Sequence, residues 1–486
     1  MIMYDTILIG KDVGTLIAAL ASSSQGLRTL LLSDGNDPAV YTGSGCTFNI
    51  DPFPWTGLGN GDSFLHFHLN NVILQAILPL LVPLNPGLQI ILPENRLDIF
   101  SSHEHLIHET SREFPGREAK INALYEAASH ANRRLSQLIM DYPTLRPGTI
   151  KKSPGFLKNL ALYLREKSRC DSIFRGIRDD SLRLFFESQL AVLSNRHPME
   201  WKYSPMSPHI ITIPLQGVFY PLGGKQVVLD VLEDLFVRQG GVLLTGCDID
   251  RITAEKGLYQ IEGRAGQETL QFSASHLIVS KAWKNMERIL HADDRKARRF
   301  AGYLKRSEKQ LHPFTLYMSV LDKGLPEKMS EYVALILDKN KPLHDLNFIF
   351  AELSRRGDYG RAPEGKRALS ATVFLNKATS SHQDGELLDL ADKLLQNLNG
   401  FLPFLSENID FLDIDQCIDF SRKFEETATH RYRILRSSLL HLSTLSSKTP
   451  LKNVYMTGKD IFPDLGFEGE VLSGLNAANL STGGRL

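Results

Sequence analysis

Hydrophobic positions at the start of the chain predict a strand, a helix and a second strand. The apolar run YDTILI at 4–9 ends at a glycine and predicts a buried strand. The small and apolar residues that follow predict a helix ending near Gln25-Gly26, because glycine suits the position after a last helical turn. A second apolar run at 28–32 predicts another strand. This order of elements, with a tight turn after the first strand, is typical of a dinucleotide-binding βαβ unit.

The turn of this unit departs from the usual Gly-x-Gly-x-x-Gly pattern. Gly10 stands at the first glycine position, but Asp12 and Thr15 stand at the second and third, with Gly14 beside Thr15. A carboxylate about 4 Å from a bound diphosphate would cost about 4 kcal/mol at an effective dielectric of about 20. Rotation of Asp12 away from the ligand, or neutralisation by Lys11, would reduce that cost. Two interpretations stay open: a working diphosphate site, or a loop that only connects two elements.

The end of the second predicted strand departs from the pattern as well. An acidic residue there normally holds the ribose hydroxyls. Ser33 occupies that register position, and Asp34 follows it. Ala39-Val40 stand where a Gly-Gly pair is expected.

Three later segments predict further elements of a nucleotide-binding fold. The sequence YPLGGK at 220–225 precedes an amphipathic helix and strands at 240–244 and 247–252. Residues 275–283 predict a buried strand that leads into a helix. Residues 453–478 predict a short strand, a glycine-rich loop and a small-residue helix, whose N-terminus can face an electron-rich ligand.

Together these segments resemble the FAD-dependent desaturases, isomerases and saturases of the phytoene desaturase, carotenoid isomerase and retinol saturase group, within the amine-oxidase-like flavoproteins. The similarity covers nearly the whole chain and includes EFPG at 113–116 and APEGKRAL at 362–369. Its most specific parts are the Tyr-Pro-x-Gly-Gly turn and the closing Gly-x-Asp, Gly-x-Glu-Gly and Ser-Gly pattern. The opening glycine motif is its least faithful part.

The resemblance implies an α/β fold with two discontinuous domains. A Rossmann-like FAD/NAD(P)-binding domain is expected at 1–64, 215–299 and 446–486, and a substrate domain of mixed sheet and helices at 65–214 and 300–445.

The resemblance also implies FAD as the cofactor and assigns residues to it. These are Gly10, Gly14, Asp34, Ile249, Gly458, Asp460, Glu468 and Gly469. Ile249 would present its backbone to the adenine, and Gly458 and Asp460 would approach the ribityl and phosphate. Glu468 and Gly469 would lie beside the flavin ring. The final helix, expected to open near Glu470, would aim its positive end at the pyrimidine edge and stabilise negative charge on reduced flavin. Because the flavin carries the chemistry in this group, catalytic side chains stay unknown.

Two functions are open on this basis. The first is an FAD-dependent oxidoreductase of desaturase, saturase or isomerase type, acting on a polyene, isoprenoid or other long apolar substrate. The second is a non-catalytic lipid-binding or escort protein on the same scaffold, with a flavin site impaired at Asp12, Thr15 and Ser33. Enzymatic function is favoured, because the C-terminal flavin-facing pattern matches well.

Composition limits the partners. The 486 residues include 55 Lys plus Arg and 55 Asp plus Glu, so no overall field attracts nucleic acid, and none is expected as a partner. The basic run at 295–306 predicts a solvated helix face, with anionic lipid headgroups as the alternative. No leader-like segment and no apolar run of about 20 residues is present, so a cytoplasmic protein is expected, with peripheral membrane contact open. The oligomeric state is not predicted.

Neither cysteine nor histidine spacing predicts a metal site. Cysteines stand at 46, 170, 247 and 417, far apart, as in a reduced protein. His103, His105 and His108 are close in sequence, but no helix or strand would present all three with a further ligand.

Overall fold

A computed structural model describes residues 2–35, 39–59, 63–69, 71–145, 153–198, 207–255, 257–282, 295–434 and 445–483. Its helices are α1 (Val13–Ser24), α2 (Phe64–His68), α3 (Asn71–Ile77), α4 (His103–Glu113), α5 (Glu118–Asp141), α6 (Ser153–Arg175), α7 (Asp180–Leu193), α8 (Ser207–Thr212), α9 (Lys225–Arg238), α10 (Arg295–Leu304), α11 (Asp384–Phe401), α12 (Ile414–Lys423) and α13 (Gly466–Ser481). Its strands are β1 (Ile2–Ile9), β2 (Thr29–Ser33), β3 (Val40–Gly43), β4 (Cys46–Asn49), β5 (Trp55–Thr56), β6 (Leu81–Pro83), β7 (Leu88–Ile91), β8 (Arg96–Ile99), β9 (Val218–Pro221), β10 (Val242–Thr245), β11 (Cys247–Glu255), β12 (Leu258–Ala265), β13 (Glu268–Ser280), β14 (Ser307–Leu321), β15 (Tyr332–Ile336), β16 (Asp345–Leu353), β17 (Lys366–Leu375), β18 (Ile409–Leu412), β19 (Arg431–Ile434) and β20 (Val454–Thr457).

The first sheet contains the predicted βαβ unit. Five parallel strands lie in the order β10-β2-β1-β13-β20, and β12 and β11 extend the first half of β13 in antiparallel fashion. Every residue of β2 is buried, as expected for a parallel strand with both faces covered. Gly26 has φ +75° just after α1, so the predicted glycine position at this helix end is confirmed. The predicted α/β class with a Rossmann-like sheet is confirmed.

The second sheet is mixed and has helices on both faces. Its order is β18-β14-β17-β16-β15-β7-β8, with β19 on the other end of β14, and only β15 and β7 are parallel. Tyr332, Ala334 and Ile336 pack into one apolar cluster with α5 and α7. Val333 and Leu335 pack into another with α11 and α12. This alternation follows from the two-residue period of a strand.

The Tyr-Pro-x-Gly-Gly turn joins the two sheets. Tyr220 donates its hydroxyl proton to Asp358 (2.8 Å), and the Gly223 N–H donates to the same carboxylate (3.0 Å). Gly223 and Gly224 have φ of +71° and +93°, so both positions favour glycine. Asp358 belongs to the loop between β16 and β17. The division of the chain into two discontinuous domains is compatible with this arrangement and stays a proposal.

Several further predictions concern features outside this core. The helix predicted after 275–283 lies beyond residue 282, outside the described residues. His103 and His105 lie on α4 and pack against Tyr125 and Phe100, and the described residues hold no group of His, Cys, Asp or Glu placed for a metal ion. All four cysteines are buried free thiols. Among the described helices, none has the length and hydropathy needed to cross a bilayer.

Candidate cofactor-binding site

A cavity of about 650 Å³ opens at the carboxyl ends of the parallel strands of the first sheet. Ligands of open α/β sheets bind at this edge, and the volume is in the range of about 300–1,000 Å³ that is usual for ligand sites. One wall is formed by the ends of β1, β2, β13 and β20. The cavity is also lined by Leu304 and Lys305 at the end of α10, by residues 307–310 of β14, and by residues 426–428 with Tyr432.

Five of the eight predicted FAD-binding residues line this cavity. They are Gly10, Asp34, Ile249, Gly458 and Asp460. The other three, Gly14, Glu468 and Gly469, are buried behind its wall. The roles assigned to all eight stay proposals.

Gly14 serves the packing of two helices. A Cβ on Gly14 would lie 2.8 Å from the carbonyl oxygen of Glu470, and a Cβ on Gly474 would overlap the carbonyl oxygen of Gly14. The backbones of α1 and α13 therefore touch at these two glycines. This contact explains a glycine at position 14, one residue before the usual third glycine.

Glu468 and Gly469 lie in the protein interior. Glu468 is completely buried, with Oε1 3.4 Å from Nε2 of His209, and Nδ1 of His209 lies 2.7 Å from Oδ1 of Asn132. The helix α13 begins at Gly466, so its predicted start near Glu470 is wrong by one turn. A Cβ on Gly466 would overlap the carbonyl oxygen of Leu193, because the end of α7 covers this helix terminus.

Asp12 is the N-cap of α1. Its Oδ1 accepts hydrogen bonds from the backbone N–H (2.7 Å) and the hydroxyl (3.0 Å) of Thr15, and its Oδ2 accepts from Ser280. Lys11 pairs with Glu233 (2.8 Å), so the proposed neutralisation of Asp12 by Lys11 is wrong. The carboxylate thus occupies the helix N-terminus, where the phosphate of a bound dinucleotide would otherwise accept hydrogen bonds.

The end of the cavity that is predicted to hold adenosine is shaped by β2 and β11. Ser33 is buried and its hydroxyl accepts from the Gly35 N–H (3.2 Å), which fixes the turn that presents Asp34. The pairing of β11 with β12 shifts register between Ile249 and Arg251, and Ile249 lines the cavity at this irregularity. Gly10, with φ +116°, closes the other side of this end.

Four charged side chains to which the sequence analysis assigned no binding role also line the cavity: Asp51, Lys225, Lys459 and Glu470. Asp51 pairs with Lys459, and its Oδ2 lies 4.0 Å from Nζ of Lys225. Thr429 donates to Asp51 through its N–H (2.8 Å) and its hydroxyl (2.7 Å). We refer to these four charged residues as the charge cluster.

The charges of the cluster shift one another's pKa values. Burial opposes ionisation of Asp51, but the neighbouring Lys459 and Lys225 hold its pKa well below the usual range. Burial and the nearby Lys459 lower the pKa of Lys225. Burial would also lower the pKa of Lys459, but Asp51 and Glu470 raise it. Burial raises the pKa of Glu470.

Local structure places each member of the cluster. Lys225 follows the Gly-Gly turn as the first residue of α9, and its N–H donates to Oδ1 of Asn49 (2.9 Å). Asn49 in turn donates to Glu352 (2.7 Å). Lys459 is the middle residue of the Gly-x-Asp pattern, whose Asp460 pairs with Lys281. Lys225 and Lys459 each lie in a glycine motif, and this position in the sequence could have marked them as site residues. No such sequence feature marks Asp51.

No protein-family model matches the chain. The chloroplastic prolycopene isomerase of Arabidopsis thaliana is 22% identical over 98% of this chain and 82% of its own length. The all-trans-retinol 13,14-reductase of Danio rerio is 21% identical over 98% of this chain and 85% of its own length. The resemblance predicted from the sequence is confirmed by these relatives.

Solved structures of similar fold cover almost the whole chain. Putrescine oxidase with bound putrescine has a TM-score of 0.59 at 12% identity and covers 99% of both chains. Cyclohexylamine oxidase from Brevibacterium oxydans has a TM-score of 0.56 at 15% identity, over 99% of this chain and 98% of its own. Rab GDI from Plasmodium falciparum has a TM-score of 0.58 at 11% identity, over 100% and 99%. At these identities the likeness concerns the fold alone.

Proposed function

We propose that this chain is an FAD-dependent enzyme of desaturase, saturase or isomerase type that acts on a polyene, isoprenoid or other long apolar substrate. The observation that carries the proposal is the cavity at the carboxyl ends of the parallel strands, lined by five residues predicted to bind FAD. The full-length similarity to proteins named prolycopene isomerase and retinol reductase supports it. Neither of these relatives is named as an escort protein.

The residues of the cavity fit an adenine dinucleotide at its adenosine end. Gly10 and Gly458 have φ of +116° and +144° and present backbone without a side chain to the cavity. Ile249 and Asp34 would hold the adenine and ribose. Near the diphosphate position, Lys281 supplies a positive charge, although it is now paired with Asp460. The charge of Asp12 opposes a phosphate there, and its cap hydrogen bonds hold it at the start of α1.

FAD, when bound, would supply the capacity to accept or return a hydride. The side chains of this protein would hold the cofactor and orient the substrate beside it. Apolar residues, among them Ile50, Leu304 and Ala428, line the part of the cavity nearer the second sheet and would exclude water from a long apolar substrate.

We also propose that the basic face of α10 contacts anionic lipid. Phe300 and Tyr303 are buried against the protein, whereas Arg295, Arg298 and Arg299 are exposed. The helix ends at the cavity, since Leu304 and Lys305 line it. The formal charge of the whole chain is zero, so this cationic face would attract anionic headgroups locally. An apolar substrate would then enter the cavity from the bilayer.

The proposal is tested by the visible spectrum of the purified chain. After desalting, we expect flavin absorption bands, and heat-released cofactor that co-elutes with FAD in chromatography. If the protein is isolated without cofactor, titration with FAD should quench flavin fluorescence at a stoichiometry of one per chain. A colourless protein that leaves FAD fluorescence unchanged would contradict the proposal. Riboflavin is the control ligand, because it lacks the adenosine and diphosphate that most of the predicted residues would contact.

A further inference from the structure

Glu470 differs from the other members of the charge cluster. It lies in the second turn of α13 and is 4% exposed. Its Oε1 has no hydrogen-bond partner within the part of the chain that the structure describes. It lines both the large cavity and a small neighbouring one, where the rings of Phe53, Trp55 and Phe467 also lie. A buried carboxyl with an oxygen that has no hydrogen-bond partner among the described residues is therefore presented to the cavity.

The neighbours of Glu470 are already engaged with other groups. Lys459 pairs with Asp51, and Lys225 lies 4.0 Å from the same carboxylate. Asp12 is a second anion, and its charge helps to raise the pKa of Glu470. Thus the two lysine charges are shared with Asp51, while Asp12 opposes a further negative charge. An uncharged carboxylic acid suits this position better than a carboxylate does.

We propose that Glu470 is the residue that donates a proton to the substrate in the cavity, and takes it back in the reverse direction. This rests on the proposed function. FAD, if bound in its reduced form, would supply a hydride to one carbon of a C=C bond during saturation. The π electron pair would move to the second carbon, which would take the hydroxyl proton of Glu470. Two new C–H bonds would form, with Glu470 left as a carboxylate and FAD left oxidised.

The two lysines make this transfer reversible. Once Glu470 has lost its proton, its carboxylate lies among Lys459 and Lys225, whose charges stabilise it. Desaturation would run the same step backwards, with the carboxylate removing a proton as hydride leaves the neighbouring carbon. A glutamine at this position keeps the size and a hydrogen-bond donor but cannot transfer a proton.

The protonation of Glu470 has a consequence that requires no cofactor. Burial raises its pKa above the value in the unfolded chain, with Asp12 and Asp51 adding to the rise and the lysines opposing it. The stability that comes from neutral Glu470 is therefore complete below the unfolded pKa, and it is lost as pH rises through the folded pKa.

The first test is the thermal stability of the cofactor-free chain and of Glu470→Gln between about pH 5 and about pH 9. We expect the melting temperature of Glu470→Gln to increase relative to that of the native chain as pH rises. Across the titration of Glu470, the ratio of the folding equilibrium constants of the two chains changes by up to about tenfold per pH unit. Glu426→Gln is the matched control, because Glu426 lines the same cavity but its side chain is 59% exposed. A difference between Glu470→Gln and the native chain that does not change with pH would overturn the inference.

The second test compares turnover with FAD bound and chemically reduced, using prolycopene and all-trans-retinol as probes. We expect Glu470→Gln to bind FAD with the affinity of the native chain but to convert the polyene about a hundredfold more slowly, as for loss of a general acid. The alkaline limb of the native pH–rate profile should be absent in the variant. Equal rates in the two chains would overturn the role of Glu470. Failure of both chains to bind FAD would instead contradict the proposed function, and the first test would still stand.

Discussion

Replacing Asp12 by asparagine should tighten FAD binding. In the structure, the Asp12 carboxylate caps α1 and also lines the cavity at the place where the diphosphate of a dinucleotide is expected. Asparagine is as good an N-cap as aspartate, so the hydrogen bond from the Thr15 N–H is retained. The substitution therefore removes a negative charge from the cavity while it leaves the start of the helix in place.

The size of the effect follows from Coulomb's law. Two unit charges about 6 Å apart repel by about 3 kcal/mol at an effective dielectric of about 20. Since about 1.4 kcal/mol corresponds to a factor of ten, the dissociation constant of FAD should fall by about a hundredfold. The folded chain loses the attraction between the carboxylate and the helix dipole, worth about 0.3 to 1 kcal/mol, so its melting temperature should fall slightly.

Fluorescence titration of cofactor-free protein with FAD measures the change. Asp5→Asn is the matched control, because Asp5 lies on β1, the strand before Asp12, and accepts a hydrogen bond from the Arg28 N–H outside the cavity. The control should leave FAD affinity unchanged. Equal or weaker binding of FAD by Asp12→Asn, in a variant that melts close to the native chain, would refute the placement of the diphosphate beside Asp12.

Two further substitutions test other parts of the structure. Gly474→Ala should destabilise the chain by about 1–3 kcal/mol, because the new methyl group overlaps the carbonyl oxygen of Gly14. Gly400→Ala is the control, because Gly400 lies in α11 and a Cβ there would have no atom within 4 Å. It should stabilise the chain by up to about 1 kcal/mol. Equal melting temperatures of the Gly474→Ala and Gly400→Ala variants would contradict the tight crossing of α1 and α13. Changing both Arg298 and Arg299 to glutamate should abolish sedimentation with phosphatidylglycerol vesicles at low salt without affecting FAD binding. Unchanged sedimentation of this double variant would refute the lipid contact of α10.

Local pattern was sufficient to predict most strands of the first sheet, although not β12. The strands β1 and β2 contain the apolar runs at 7–9 and 30–32, and Gly26 marks the end of α1, so these elements follow from residues near one another in the sequence. The Tyr-Pro-Leu-Gly-Gly turn was also visible, because positive φ at Gly223 and Gly224 demands glycine.

The start of α13 was beyond prediction for a physical reason. Helix starts are recognised in sequence by a capping side chain such as Ser, Thr, Asp or Asn. Here Leu465 occupies the N-cap position and makes no side-chain hydrogen bond. The helix begins at Gly466 because the end of α7 packs against it, a contact that no local pattern encodes.

The site itself depends on contacts between distant segments. Asp12 turns toward α1 partly because Ser280, at the end of β13, donates to it. The charge cluster takes its members from the end of β4, the start of α9, the loop after β20 and the interior of α13. No local sequence pattern predicts that these four residues lie together, because the fold brings them from four separate segments to one cavity.

The contact between α1 and α13 ties the first part of the chain to the last. The helix α1 ends at Ser24 and α13 begins at Gly466, so about 440 residues separate two helices that touch through their backbones. At roughly 5–20 residues per second, a ribosome needs roughly 20 to 90 seconds to make the intervening chain. During this time Leu16 and Ile17, buried in the finished protein, have no α13 to pack against. Completion of the first sheet and of the contact between α1 and α13 therefore has to follow synthesis of the second sheet.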